Sequence, residues 1–145
     1  MAETDQNYDH HVRYHAPFHF VALPILTINL IWAITKLVKS LTFDNLDQLL
    51  LAVGLIVITF LIRIYALKAQ DRVIRLEEFL RFQRILPPEQ AERAMKMAPR
   101  QIIALRFAPD EELSALVAQI GAGALSKPDE IKRTIKNWRP DYHRI

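Results

Sequence analysis

The chain has 145 residues, with 19 Lys and Arg against 16 Asp and Glu, a formal net charge of +3 and a mean hydropathy of +0.06. It holds no cysteine, which removes disulfides, zinc–thiolate sites and thiol nucleophiles, and its three glycines are few for a backbone phosphate cradle. The averages conceal a segregation: residues 1–62 hold only Arg13, Lys36 and Lys39, and the other sixteen Lys and Arg follow. That pattern points to a membrane protein.

Residues 1–15, MAETDQNYDHHVRYH, are acidic and polar with no basic start ahead of an apolar core, so they do not read as a cleaved signal peptide. Residues 16–39 read as a first transmembrane helix. Ala16 to Thr35 contains no Asp, Glu, Lys or Arg, the length a bilayer needs, and Lys36 and Lys39 then stop the span. Pro17 suits a first helical turn; Pro24 lies inside and should kink the helix, freeing a carbonyl one turn earlier. Phe18, Phe20 and Trp32 sit towards the ends, where aromatic rings anchor at the interface.

Residues 40–46 are expected to be a short loop, with Asp44 and Asn45 as turn residues. Residues 47–86 then read as one proline-free helix that leaves the membrane and continues into the cytosol, on the order of 60 Å long. Its charge-free part, Gln48 to Ile62, reaches bilayer length if Arg63 snorkels. Arg63, Lys68, Arg72 and Arg75 crowd just past it, a collar suited to lipid headgroups. The same bias predicts that the C-terminal part, and through two spans the N-terminus, is cytoplasmic.

Beyond Arg63 the helix carries mixed charge, with Asp71→Arg75 and Glu77→Arg81 as favourable i,i+4 pairs. Ala66, Ala69, Val73, Leu76 and Leu80 repeat at 3-4-3-4 spacing, a stripe of about two heptads that Phe79, Phe82 and Leu86 widen. It suits packing against the chain's own C-terminal helices or against another subunit. Glu77 and Glu78 interrupt the arginines and no aromatic platform is interleaved, so nucleic acid is not an expected partner.

Pro87-Pro88 ends the long helix, and residues 87–145 read as a module of short helices, each opened by a proline. Asp110, Glu111 and Glu112 suit a helix N-terminus, Ser126 and Asp129 resemble a capping box, and Gly121 and Gly123 mark a helix end. Ile102, Ile103, Leu105, Phe107, Leu113, Leu116, Val117, Ile120, Ile131, Ile135 and Trp138 supply a small core. A unit of that size should lean on the long helix or on a partner. The basic excess of residues 126–145 suits a membrane surface.

For chemistry, the constellation to weigh is His10, His11, His15 and His19. His11, His15 and His19 fall at i,i+4 spacings, and histidines so placed at a membrane edge could ligate a metal, a haem or a pigment. Pro17 interrupts that geometry, and the other reading is interfacial polar contact. Asn29 is a lone amide within the first span, suited to a bond with a neighbouring helix. No HExxH, GxSxG or glycine-rich phosphate motif is present, so neither an enzyme nor a bound cofactor is expected.

Four phrases carry a resemblance: NYDHHVRYHAPFHF, RIYALKAQDRVIRLEEFLR, QIIALRFAPDEELSALV and IKNWRPDYHRI. With them the chain resembles a family of small uncharacterised bacterial membrane proteins of unknown function over nearly its whole length. The resemblance implies a two-span protein of the bacterial inner membrane and brings no activity or site residues. The expected fold is thus all-α: a transmembrane hairpin whose second helix extends into the cytosol, then a small helical bundle. The expected role is a non-catalytic accessory or scaffold subunit whose partners are membrane lipid and other membrane subunits or a second copy. Its candidate contacts are Ala66, Ala69, Val73, Leu76 and Leu80, with Phe18, Asn29 and Trp32 in the membrane. The alternative is a metal-, haem- or pigment-binding subunit using His11, His15 and His19.

Overall fold

A computed structural model describes Tyr8 and residues 15–141, and among these it is all-helical, without strands. A π-helical turn, Pro17–Ala22, leads into α1 (Leu23–Lys39), followed by α2 (Phe43–Ile85), α3 (Pro88–Met95), α4 (Pro99–Leu105), α5 (Asp110–Gly121) and α6 (Pro128–Thr134). Two compact units divide the chain, one of residues 13–68 and one centred on residues 69–144, and α2 contributes to both.

In the first unit, proline sets the opening geometry. Pro24 has no N–H to return to the preceding turn, and the chain answers with a wider register ahead of it. The Leu23 N–H reaches back five residues to the Phe18 carbonyl, as a π turn does. The expected kink is therefore taken up as a widened turn. Thr27, Thr35 and Thr59 donate their hydroxyls to carbonyls of their own helices, Leu23 O at 2.8 Å, Trp32 O at 2.7 Å and Leu55 O at 2.7 Å. No hydroxyl of these three is left facing an apolar surround unbonded.

The connection is shorter than residues 40–46: α2 begins at Phe43, four residues ahead of Asp47, and ends at Ile85. Thr42 is the reason. Its Oγ1 accepts the Asn45 N–H at 3.3 Å, the bond of an N-cap residue to the third helical position. Asn45 then belongs to the first turn of α2, and its Nδ2 donates backwards to Ser40 O at 2.7 Å and Lys36 O at 3.4 Å. One amide thereby adds a second bond to two carbonyls that already accept the Ser40 and Thr42 N–H groups. α1 and α2 run antiparallel, with Lys36 Nζ 3.5 Å from Gln48 Oε1 at one end and the Phe18 and Phe60 rings edge-to-face at 5.9 Å near the other. Between these levels the buried residues of the pair are Ala33 and Ala52, small enough for close backbone approach.

The second unit closes around Phe82, Ile102, Leu105, Phe107, Leu113 and Ile131, all fully buried, with Leu116, Val117, Ile120 and Ile135 beside them. Phe82 and Leu86 belong to α2 and the residue after it, so the small core does lean on the long helix. Pro88, Pro99 and Pro128 lie in the first turns of α3, α4 and α6, whereas Pro109 stands just ahead of α5 and leaves the first turn to Asp110, Glu111 and Glu112. α5 ends on Gly123 at φ 76°, where the Ala124 N–H returns to Gln119 O and the Gly123 N–H to Ile120 O. This paired 6→1 and 5→2 closure needs the left-handed residue that glycine supplies. At α6 the capping carboxylate is Glu130, not Asp129: Glu130 Oε2 accepts the Ser126 and Lys127 N–H groups, both at 3.1 Å. After α6 the chain is stapled across the module. Glu112 accepts the Lys136 and Asn137 N–H groups at 3.0 Å, the Arg139 N–H donates to Phe107 O at 2.8 Å, and Trp138 packs on Phe107 at 4.8 Å.

Candidate interaction surface

The C-terminal part of α2 has two unlike sides. One is held by the module, where Glu78, Arg81 and Phe82 are buried, and Ile74 is buried on the same side. These positions fall on one face because they are spaced by roughly one or two helical turns. Two of them are charged, and they are satisfied by a closed set of bonds. Arg81 Nε and Nη2 donate to Asp110 Oδ1 at 2.8 and 2.6 Å, Nη2 donates also to Ala108 O at 2.7 Å, and Nη1 donates to Glu78 Oε2 at 3.1 Å. Arg139 Nη1 stands 3.8 Å from the other Glu78 oxygen. Burial pushes the Glu78 carboxyl above its ordinary value, with Arg81 and Arg139 pulling the other way. The Glu77→Arg81 pair expected from spacing does not form, because Arg81 turns into the module while Glu77 stays exposed.

The other side is bare. Val73, Leu76 and Leu80 keep 54, 61 and 62% of their surface exposed, and Ala69 is exposed with them. At 100° per residue this stripe lies roughly 150° around the axis from the clasped face. The reading in which the stripe packs on the chain's own C-terminal helices holds only for its widening residues Phe82 and Leu86, with Phe79 beside them; for Val73, Leu76 and Leu80 it is overturned, and the module takes the nearly opposite, charge-containing face instead. Three large aliphatic side chains side by side on an exposed helix face are more than scattered surface hydrophobics. Arg72 and Glu77 flank them, both exposed.

The family model described as "Family of unknown function (DUF6526)" matches residues 1–145. The chain belongs to that family. No curated protein and no solved structure matches it.

The remaining candidate residues scatter. Phe18 is engaged inside the hairpin, against Phe60 and beneath the Arg63 guanidinium at 5.7 Å. Trp32 is exposed, with Lys36 Nζ 5.7 Å from its ring centroid. Asn29 is exposed on α1 and makes no hydrogen bond with the described residues, so its amide does not bond to α2. Ala66 is half-buried. Of the basic collar, Lys68 lies over Tyr65 at 5.6 Å, Arg75 over Phe79 at 5.7 Å, and Arg72 is exposed.

Of the three histidines, His11 lies outside the described residues. His15 and His19 are adjacent: His19 Nδ1–H donates to the His15 carbonyl at 3.0 Å, which fixes the proton on Nδ1 of the neutral ring. Among the described residues no three His, Asp or Glu side chains converge as a metal site. The π turn from Pro17 also breaks the α-helical stacking that i,i+4 ligands require.

The cluster of buried Glu78 and Arg81 with exposed Asp110 escaped the reading of the sequence. A signal was present, since Ile74, Glu78, Phe82 and Leu86 recur every four residues. That spacing places a carboxylate among apolar core positions. Its chemistry is that of a clasp: the guanidinium is bonded through all three nitrogens, to Asp110, the Ala108 carbonyl and Glu78.

Proposed function

We propose that this chain is a non-catalytic accessory or scaffold subunit of a membrane assembly in the bacterial inner membrane. The hairpin would hold it in the bilayer, and α2 would carry the helical module and the docking stripe on the cytoplasmic side. The observation that carries the reading is the bare stripe of Val73, Leu76 and Leu80 on the side of α2 away from the Arg81 clasp. A helix so placed presents an apolar face for a partner and holds no reactive group. Two further features support it. The helices of 23 and 43 residues, Pro17–Lys39 and Phe43–Ile85, are long and apolar enough to cross a membrane. Asn29 turns a polar amide outward from the apolar hairpin, where a neighbouring helix would satisfy it. The density of Lys and Arg beyond residue 62 favours cytoplasmic termini.

The test is isolation of the tagged protein from native membranes in mild detergent, with carbonate extraction of the same membranes and mass spectrometry of the eluate. Carbonate-resistant protein with stoichiometric membrane partners or copies of itself is expected. Release by carbonate would overturn the anchor, and a lone monomer would overturn the scaffold.

A further inference from the structure

We propose that the occupant of the bare stripe is a second copy of this chain, paired in parallel through α2 as a short two-stranded coiled coil. The inference deepens the scaffold reading and rests on it for the shared membrane that brings two copies together.

The register can be written from the exposed residues. Ala69 and Leu76 take d positions, and Val73 and Leu80 take a positions. Val73 at a with Leu76 at d is the pairing that favours two parallel strands over three or four, and Leu80 at a and Ala69 at d flank it without adding to that preference. The buried residues of this stretch, Ile74, Glu78, Arg81 and Phe82, fall at b, f, b and c, the back of such a seam. The module therefore covers the side of α2 that a coiled coil does not use and leaves its a and d edge clear.

Charge then selects partner and direction. In this register Arg72 is a g residue and Glu77 is the e residue five positions later. A parallel pair brings g of one helix to that following e of the other, so Arg72 meets the partner's Glu77, and by symmetry the contact occurs twice. An antiparallel pair instead apposes g with g and e with e. That sets arginine opposite arginine or Phe79, and glutamate opposite glutamate or Gln70, without an attractive ion pair. Both charged groups are exposed and neither has a hydrogen bond or ion pair with the described residues. Two heptads are short for a free coiled coil, but confinement of both copies to one bilayer raises their effective concentration and preserves the parallel sense.

The chain has no cysteine, so single cysteines report without background. Val73→Cys, Leu76→Cys and Leu80→Cys, with Asp71→Cys at the exposed f position as control, are oxidised in the full-length protein in native membranes. All four sites are exposed, so folding is not the issue. Disulfide-linked dimer at 73, 76 and 80 with little at 71 is expected. Equal yields at all four positions, or none, overturn the proposal. Cross-linking of the stripe to a different protein also overturns it, while leaving the scaffold reading standing.

A charge swap supplies the second arm. In the Leu76→Cys background, Arg72→Glu or Glu77→Arg alone should lower dimer yield on the order of tenfold, and the two together should restore it. Singles without effect, or a double variant that fails to recover, overturn the parallel register. Carbonate release of the protein would instead indict the membrane reading, whatever the cross-linking shows.

Discussion

Arg81 grips Asp110 across 29 residues of sequence, placing both Nε and Nη2 within 2.8 Å of one carboxylate oxygen. The grip joins the end of α2 to the start of α5 and fixes which side of α2 the module covers. Removing the guanidinium leaves Glu78 buried, with Arg139 3.8 Å away as its nearest counter-charge. Arg81→Ala should destabilise the C-terminal unit by about 3–5 kcal/mol. Trp138 fluorescence in denaturant, measured in a Trp32→Phe background, reads this directly. Adding Glu78→Gln to Arg81→Met should recover part of the loss, because no uncompensated charge then remains inside.

Two carboxylates should give the module opposite responses to acid. Burial raises the folded-state pKa of Glu78 above 4.5. Ionised Glu78 therefore costs stability above that raised value, and the cost is relieved as pH falls through it towards 4.5. Relative to Glu78→Gln, the wild type should gain stability as pH falls from neutral through the raised value towards 4.5. Glu112 behaves in reverse. Partial burial pushes it up, but the N–H groups of Lys136 and Asn137 outweigh that and hold its carboxyl below 4.5. Its contribution is fully present above 4.5 and is lost as pH falls through the depressed value. Glu112→Gln should remove that acid-sensitive part, visible as a flatter stability curve below pH 4.5.

The turn between the apolar helices depends on one side chain. Asn45→Ala removes the donor that serves Ser40 and Lys36 carbonyls, and Thr42→Ala removes the cap of α2. Each should cost about 1 kcal/mol. Faster amide exchange confined to Thr42 through Leu46 in detergent would confirm it, and unchanged exchange there would refute the capping role.

Gly54 lies within α2 with nothing within 4 Å of where a Cβ would stand. Gly54→Ala should therefore be accepted and should stabilise the helix by about 0.5–1 kcal/mol. A rise in the thermal midpoint of the detergent-solubilised protein is the expected readout; a fall would mean that a neighbouring molecule uses the space.

The helical plan was legible because apolar runs of bilayer length and prolines at helix starts are local signals. Phe107, Leu113, Ile131 and Trp138 announced a core by spacing alone. What spacing could not show was the choice between two faces of α2. The apolar stripe of Val73, Leu76 and Leu80 is the more hydrophobic, and hydrophobicity alone would bury it. The module instead takes the face with Glu78 and Arg81, because Asp110 and the Ala108 carbonyl, supplied from nearly thirty residues away, satisfy the guanidinium. Such a preference depends on partners distant in sequence. The same holds for the turn: Asn45 looked like a turn residue until Thr42 was available to cap and let it act as a staple.

The clasp and the stripe separate two properties that many binding helices combine. Glu78, Arg81 and Phe82 decide where α2 points, and Val73, Leu76 and Leu80 decide what can lie on it. Since the latter are exposed, exchanging them leaves the core intact and costs the fold little. On the docking role proposed above, partner choice could therefore drift, or be redesigned, on a surface whose aim is held constant from behind.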